Sequence, residues 1–320
     1  MDPDSLRDQA SPMPTALTVT ACAKINLTLD VFSKRADGYH SLASVMQAIG
    51  IYDTLRLTRR AAPGIAFTCE APEAFAVPTD ASNLAVRAAQ AALDTAAQAG
   101  AAVEGGVAIH LIKRIPTQAG LGGGSSDAAA ALLGVNALLE LNLSTETLQT
   151  LAASLGSDVT FFLMGGTATA RGRGEVITPL PDAPTLWLVV VKPEENISTA
   201  WAYSALDAIP GRPSHRATRR MEEALRAGDL DRLIARQSND FELPVFTHFP
   251  KLAWLHDELL MAGALTAHLC GSGAALYGVA RDESAAARMA ELLRRRYAQV
   301  AVTRTLTRAE SDPLRSFAGG

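Results

Sequence analysis

Residues 17–32 alternate in character: Ile25, Leu27, Leu29 and Val31 fall on one side of an extended chain, and Lys24, Asn26, Thr28 and Asp30 on the other. A two-residue period marks a strand with one face on a core, so Lys24 and Asn26 point the same way. Strand-like runs follow at 53–58, 64–69 and 106–112, each bounded by Gly, Pro or polar residues. Between the last two, the alanine-rich run 83–99 predicts a helix with Ser82 as its cap and Gly100 as its stop. A helix over 125–141 and a second one, introduced by Ser144 and closed by Gly156, come next. A strand pair, 167–171 and 175–180, turns at Gly172-Arg173-Gly174.

The Pro-rich stretch 179–184 marks a domain boundary. It divides the chain into a loose extension (1–15), an N-terminal domain (16–181) and a C-terminal domain (182–320). In the last of these, strands at 186–191, 266–270, 275–280 and 299–304 are separated by helical runs at 199–206, 216–227, 230–237, 251–261 and 283–296. That order predicts an α+β fold, with a split βαβ sheet in the second half.

Composition narrows the function. With 48% hydrophobic and 19% charged residues, a chain of 320 residues buries a sizeable core, and disorder is excluded for its bulk. A net charge of −4 supplies no basic field for nucleic acid or an anionic membrane. Arg294-Arg295-Arg296 ends an apolar-periodic run, where basic residues suit a helix C-terminus. Cys22, Cys69 and Cys270 lack metal-site spacing and read as reduced thiols. Residues 1–14 lack the basic-then-apolar order of a secretory signal, and no apolar run is long enough to span a bilayer, so a cytoplasmic protein is expected.

The chemistry begins at Pro116-Thr117-Gln118-Ala119-Gly120-Leu121-Gly122-Gly123-Gly124-Ser125-Ser126-Asp127, which runs straight into a helix. Four glycines let backbone N–H groups approach a ligand, and a helix start adds free donors and a positive dipole end, so together they form an anion cradle. Ser125 and Ser126 can donate to phosphate, or one can contact a phosphate-bound Mg²⁺. The loop has neither the Gly-Lys-Ser/Thr end of a Walker motif nor Rossmann spacing, so a phosphate-positioning cation must come from elsewhere. The alternative is a plain strand-to-helix connector with Ser125 as N-cap.

The loop PTQAGLGGGSSDAAA resembles the second signature of the GHMP kinases. AKINLTLDVFSKRADGYHSL before it, and GSDVTFFLMGGTATARGRGE and CGSGAALYGV after it, agree in the same order, so the resemblance spans residues 20–279. It implies a two-domain fold, with an N-terminal domain of the ribosomal-protein S5 domain 2 type and a ferredoxin-like C-terminal domain. ATP is the implied co-substrate, with Mg²⁺ as counter-ion and ligands the sequence does not identify. The triple glycine before Ser-Ser-Asp resembles the branch that phosphorylates the 2-hydroxyl of a cytidine-diphosphate-linked polyol in non-mevalonate isoprenoid synthesis. The rivals are a GHMP kinase for homoserine, mevalonate or a sugar, and a non-catalytic nucleotide-binding protein of the same fold.

The resemblance also implies roles. Lys24 and Asp158 form a pair beside the acceptor hydroxyl, with Asp158 as base or electrostatic positioner; by position alone Asp158 is a helix cap and Lys24 a solvated strand lysine. Asn83 lies near the adenine, and the loop from Pro116 to Ser126 holds the phosphates. Tyr39 and His40, presented by an Asp37-Gly38 turn, flank the cytosine, with Tyr203 closing the other side. Asn26, Thr199 and Gly271-Ser272-Gly273 complete the acceptor site.

Overall fold

A computed structural model describes residues 15–101, 104–209 and 216–315; the expected extension, apart from Thr15, lies outside the described residues. β1 (Ala16–Lys34) and β2 (His40–Arg60) form a long antiparallel pair. Only the last third of β2 was legible as alternation. Residues 43–49 are buried on both faces, and with Ser44 and Gln47 on opposite faces among apolar neighbours they show no two-residue period. Then come β3 (Gly64–Glu70), α1 (Leu84–Gln98), β4 (Gly106–Ile112), α2 (Gly123–Leu138), α3 (Thr145–Leu155), α4 (Val159–Met164), β5 (Thr167–Gly172) and β6 (Val176–Pro179). The remainder is β7 (Trp187–Lys192), α5 (Thr199–Asp207), α6 (Ala217–Ala227), α7 (Leu230–Ala235), β8 (Ser238–Asn239), α8 (Glu242–His248), α9 (Pro250–Met261), β9 (Thr266–Leu269), β10 (Leu276–Ala280), α10 (Glu283–Leu293) and β11 (Gln299–Arg304).

Two sheets result. The first runs β3-β4-β2-β1-β8, with β5 on β2 and β6 on β5; the second is antiparallel in the order β11-β7-β10-β9. Three layers of core follow from the alternation. Val19, Leu55, Leu57, Ile109 and Leu111 face the alanines of α1 and α2. Ile25, Leu27 and Val45 meet Leu188, Val190 and Tyr277 between the sheets. Val189, Val191 and Leu276 back onto α8, α9 and α10. Small residues let α2 lie close on the sheet: a Cβ on Gly134 would come within 2.3 Å of Leu57 Cδ1. Truncating Leu57, fully buried here, to Ala would cost about 2–5 kcal/mol.

Several expected boundaries move. Asn83, not Ser82, caps α1: its Oδ1 accepts from Ala85 N–H at 2.9 Å, while the Ser82 hydroxyl donates to Asp80. α2 stops at Leu138, and Glu140 and Asn142 turn the chain with left-handed φ of 52° and 54°. α10 ends at Leu293 with Arg294 as its cap. α8 and β8 were not anticipated; each is too short to show a period. The chain also crosses the expected division at 181/182, since β8 pairs with β1, Thr305 bridges Ile49, and Thr20 N–H donates to Pro313 O at 3.3 Å. Among the described residues, no helix is long and apolar enough to cross a membrane.

Candidate active site

The glycine loop owes its path to backbone contacts that a side chain would block. Gly120 and Gly122 have φ of +74° and +73°, and a Cβ on Gly120 would lie 1.8 Å from Cys270 O. The loop is tied to the far half of the molecule by Ala274 N–H and Ala275 N–H, which donate to Gln118 O and Ala119 O at 3.3 and 3.2 Å. Gly122 caps α2 without a side-chain bond, and Ser126 N–H returns to Gly122 O at 2.9 Å, so Ser125 is not the cap. The start of α2 thus brings backbone donors to a cavity of about 360 Å³ lined by residues 116–125, Asn83 and the apolar Val77, Pro78 and Leu84. Ser126 is buried and does not line it. Asn83 lines it with both polar ends engaged, Oδ1 by Ala85 and Nδ2 donating to Pro78 O at 2.8 Å.

A second cavity, of about 600 Å³, meets the first at Gly120 and Gly122, which line both. Lys24 and Asp158 stand beside this junction, with Lys24 Nζ 3.6 Å from Asp158 Oδ2. The Lys24 side chain is 5% exposed and that of Asp158 37%. As the strand period implied, Lys24 and Asn26 share a face: Lys24 Nζ donates to Asn26 Oδ1 at 2.8 Å, Asn26 Nδ2 to Ser44 Oγ at 2.7 Å, and the Ser44 hydroxyl to Thr28 O at 2.6 Å. This relay holds the ammonium in place. Asp158 occupies the N-cap position of α4 but makes no side-chain capping bond.

Thr199 and Ser272, with hydroxyls 3.1 Å apart, and Gly271 line the same cavity. Gly273 does not; it packs behind, where a Cβ would press on Ile197 and Leu269. Asn239 escaped the sequence reading, although its Nδ2 fixes the turn by donating to Leu269 O and Gly271 O at 2.9 and 2.7 Å.

At the far end, Tyr39 is 56% exposed, and the Arg173 guanidinium lies 5.0 Å from its ring centre. His40 is buried; its Nε2 is 2.7 Å from Asp207 Oδ1, and its ring stacks on Tyr203 at 4.8 Å. That stack leaves no gap for a base between His40 and Tyr203, so these two form one wall with Tyr39 separate from it. Burial, with the charge of Asp158 adding to it, pushes the Tyr203 phenol up to about 12, and it stays neutral.

Also missed were Asp53 and Lys113, which with Asp127 form a buried set under the loop. Lys113 Nζ donates to Asp53 Oδ2 and, at 2.7 Å, to Asp127 Oδ2, while Asp53 Oδ1 accepts from Arg114 N–H and Ile115 N–H at 2.5 and 2.8 Å. Burial, reinforced by the Asp53 charge and opposed by Lys113, pushes the Asp127 carboxyl up to about 8. Its Oδ1 is buried without a partner among the described residues. One ammonium cannot neutralise two buried carboxylates, and a proton on Asp127 removes the excess charge.

Two sheets clasping a glycine loop, with a lysine–aspartate pair at the meeting of two cavities, define a phosphotransferase for small molecules. The chain matches the models of the GHMP kinases N terminal domain over residues 83–166 and the GHMP kinases C terminal domain over residues 221–299. It is 44% identical to 4-diphosphocytidyl-2-C-methyl-D-erythritol kinase of Moorella thermoacetica over 91% of this chain and 99% of the relative. The enzyme of the same name from Geobacter sulfurreducens is 39% identical over the same shares. A crystal structure of 4-(cytidine 5'-diphospho)-2C-methyl-D-erythritol kinase superposes with a TM-score of 0.76 at 35% identity, covering 90% of this chain and 99% of that one. Homoserine kinase from Cytophaga hutchinsonii shares the fold at 19% identity and a TM-score of 0.71, over 92% of this chain and 96% of that one. The chain therefore belongs to the GHMP kinases and, within them, to the 4-diphosphocytidyl-2-C-methyl-D-erythritol kinase family.

Proposed function

We infer that the chain transfers the γ-phosphoryl group of ATP to the 2-hydroxyl of 4-diphosphocytidyl-2-C-methyl-D-erythritol, giving the 2-phosphate and ADP in the non-mevalonate route to isoprenoid precursors. The observation that carries the site is the junction at Gly120 and Gly122: a nucleotide in the loop cavity and an acceptor in the larger one would bring γ-phosphate and hydroxyl together there. Asp158, partly exposed and free of the helix, accepts the hydroxyl proton. Lys24, pinned by Asn26, orients that carboxylate and offsets charge on the moving phosphoryl group.

The loop backbone and the start of α2 hold the phosphates, and Ser125 donates to them. Mg²⁺ would arrive on the nucleotide, and the Ser125 hydroxyl, which lines the loop cavity, would be placed to contact it. Bound there, Mg²⁺ would neutralise charge between the β- and γ-phosphates. Tyr39 stacks on one face of the cytosine, with the His40–Tyr203 wall across from it and His40 at the base edge. The second sheet's strands β7, β9, β10 and β11, with helices between the first two and between the last two, and their order β11-β7-β10-β9 support a ferredoxin-like C-terminal domain beside an S5 domain 2-like N-terminal one.

ADP release measured with the diphosphocytidyl acceptor, with homoserine, with mevalonate and with no acceptor tests the activity. Turnover should require the first. Equal rates with homoserine or mevalonate, or acceptor-independent hydrolysis alone, would discard this function.

A further inference from the structure

We propose that Asp207 fixes the tautomer of His40 and so makes the acceptor pocket select cytosine over uracil. The inference rests on the function proposed above, in which His40 meets the edge of the base. Its starting point is α5, where Tyr203 and Asp207 stand four residues apart and therefore on one face of the helix. Both reach the same ring: Tyr203 stacks on His40 at 4.8 Å with the planes 22° apart, and Asp207 Oδ1 lies 2.7 Å from His40 Nε2. Tyr203 is itself held edge-on by Phe241 at 4.9 Å, and the Ser198 hydroxyl caps α5 by accepting from Trp201 N–H at 3.1 Å. The imidazole is thus fixed in plane by one side chain and in rotation by the other.

A carboxylate only accepts, so the nitrogen facing Asp207 carries the hydrogen and donates it. In the neutral ring the other nitrogen, Nδ1, is then left as a lone-pair acceptor. Among the described residues no side chain or backbone group bonds to Nδ1, and His40 lines the acceptor cavity. Cytosine offers an exocyclic amino donor where uracil offers a carbonyl oxygen. An acceptor at Nδ1 pairs with the first and sets lone pair against lone pair with the second. Asp207 never touches the reacting atoms; it is a positioning residue acting through His40.

The test is kcat/KM at pH 8 for the cytidine-diphosphate-linked methylerythritol and for its uridine analogue, in wild type, Asp207→Asn and His40→Ala. The wild type should prefer cytidine by about a hundredfold or more, since a buried hydrogen-bonding site rejects a mispaired analogue strongly. Asparagine can present either its oxygen or its NH₂ to Nε2, so both tautomers become available. Asp207→Asn should therefore raise kcat/KM for the uridine substrate in absolute terms and shrink the preference by about tenfold or more, which is about 1.4 kcal/mol or more. A merely structural role cannot produce that gain. If the preference stays within about threefold of wild type in Asp207→Asn while His40→Ala abolishes it, His40 reads the base but Asp207 does not set its tautomer, and the proposal fails alone. If neither variant moves the preference, His40 is not at the base edge, and the placement of the cytosine falls with it. A thermal melt of each variant guards against counting a folding loss as either result.

Discussion

Lys24 Nζ lies 3.6 Å from Asp158 Oδ2, and Asp158 makes no side-chain bond to the helix it precedes. The carboxylate is positioned by an ammonium and not used as a cap. Asp158→Asn should thus leave the fold and the binding of both substrates intact while kcat falls by about 10²–10⁴, the usual cost of losing a general base. Lys24→Met should also slow turnover, and the double variant should lose less than the product of the single losses, because the two act on one group. Single-turnover measurement is the check; a kcat for Asp158→Asn within about threefold of wild type would falsify the base role.

Tyr39 is the exposed half of the expected aromatic clamp, resting near Arg173 and supporting no core. Tyr39→Ala should raise the acceptor KM by about ten- to hundredfold, the worth of one base-stacking contact, with KM for ATP and the melting temperature unchanged. Steady-state kinetics in each substrate separately decides it, and an unchanged acceptor KM would take Tyr39 out of the site.

Gly124 separates ligand binding from folding better than its neighbours do. A Cβ at Gly123 would meet Ile115 Cγ2 and Lys113 Nζ at 2.9 Å, so Gly123→Val would damage the buried set beneath the loop. At Gly124 the nearest atom is Leu84 Cδ1 at 3.7 Å, and the residue lines the loop cavity proposed to hold the nucleotide. Gly124→Ala should hold or raise the melting temperature, since Ala is favoured over Gly in a helix by about 1 kcal/mol, while weakening ATP severalfold. Nucleotide titration beside a thermal melt reads both, and wild-type ATP affinity would mean the phosphates do not approach this turn.

Asp127 predicts a pH dependence of stability. Its carboxyl is raised in the folded chain from about 3.9 in the unfolded chain to about 8, so the folded state keeps a proton that the unfolded state releases. The stability this proton contributes is complete below the unfolded value and is lost as pH rises through about 8. Asp127→Asn, isosteric and permanently neutral, should flatten the decline between pH 4 and 8 in denaturant melts. Parallel pH curves for the two proteins would show that Asp127 is ionised throughout.

Local pattern alone determined a good deal. The alternation in β1 placed Lys24 and Asn26 on one face, the Gly-rich run before an alanine helix marked the loop that lines the smaller cavity, and the ordered motifs identified the family, because these depend on neighbours in sequence. Where the chain is buried from both sides, as in the first part of β2, the period vanished along with the polar face that would have marked it. Tertiary structure alone decided the rest. Asp53 and Lys113 carry no motif and form a set with the loop's Asp127 only when two strands and a helix converge, and Asn239 matters only because β8 lies beside the Gly271 turn. Asp207 finds His40 across 167 residues. Such contacts are set by how layers pack in space, a relation that no spacing along the chain encodes.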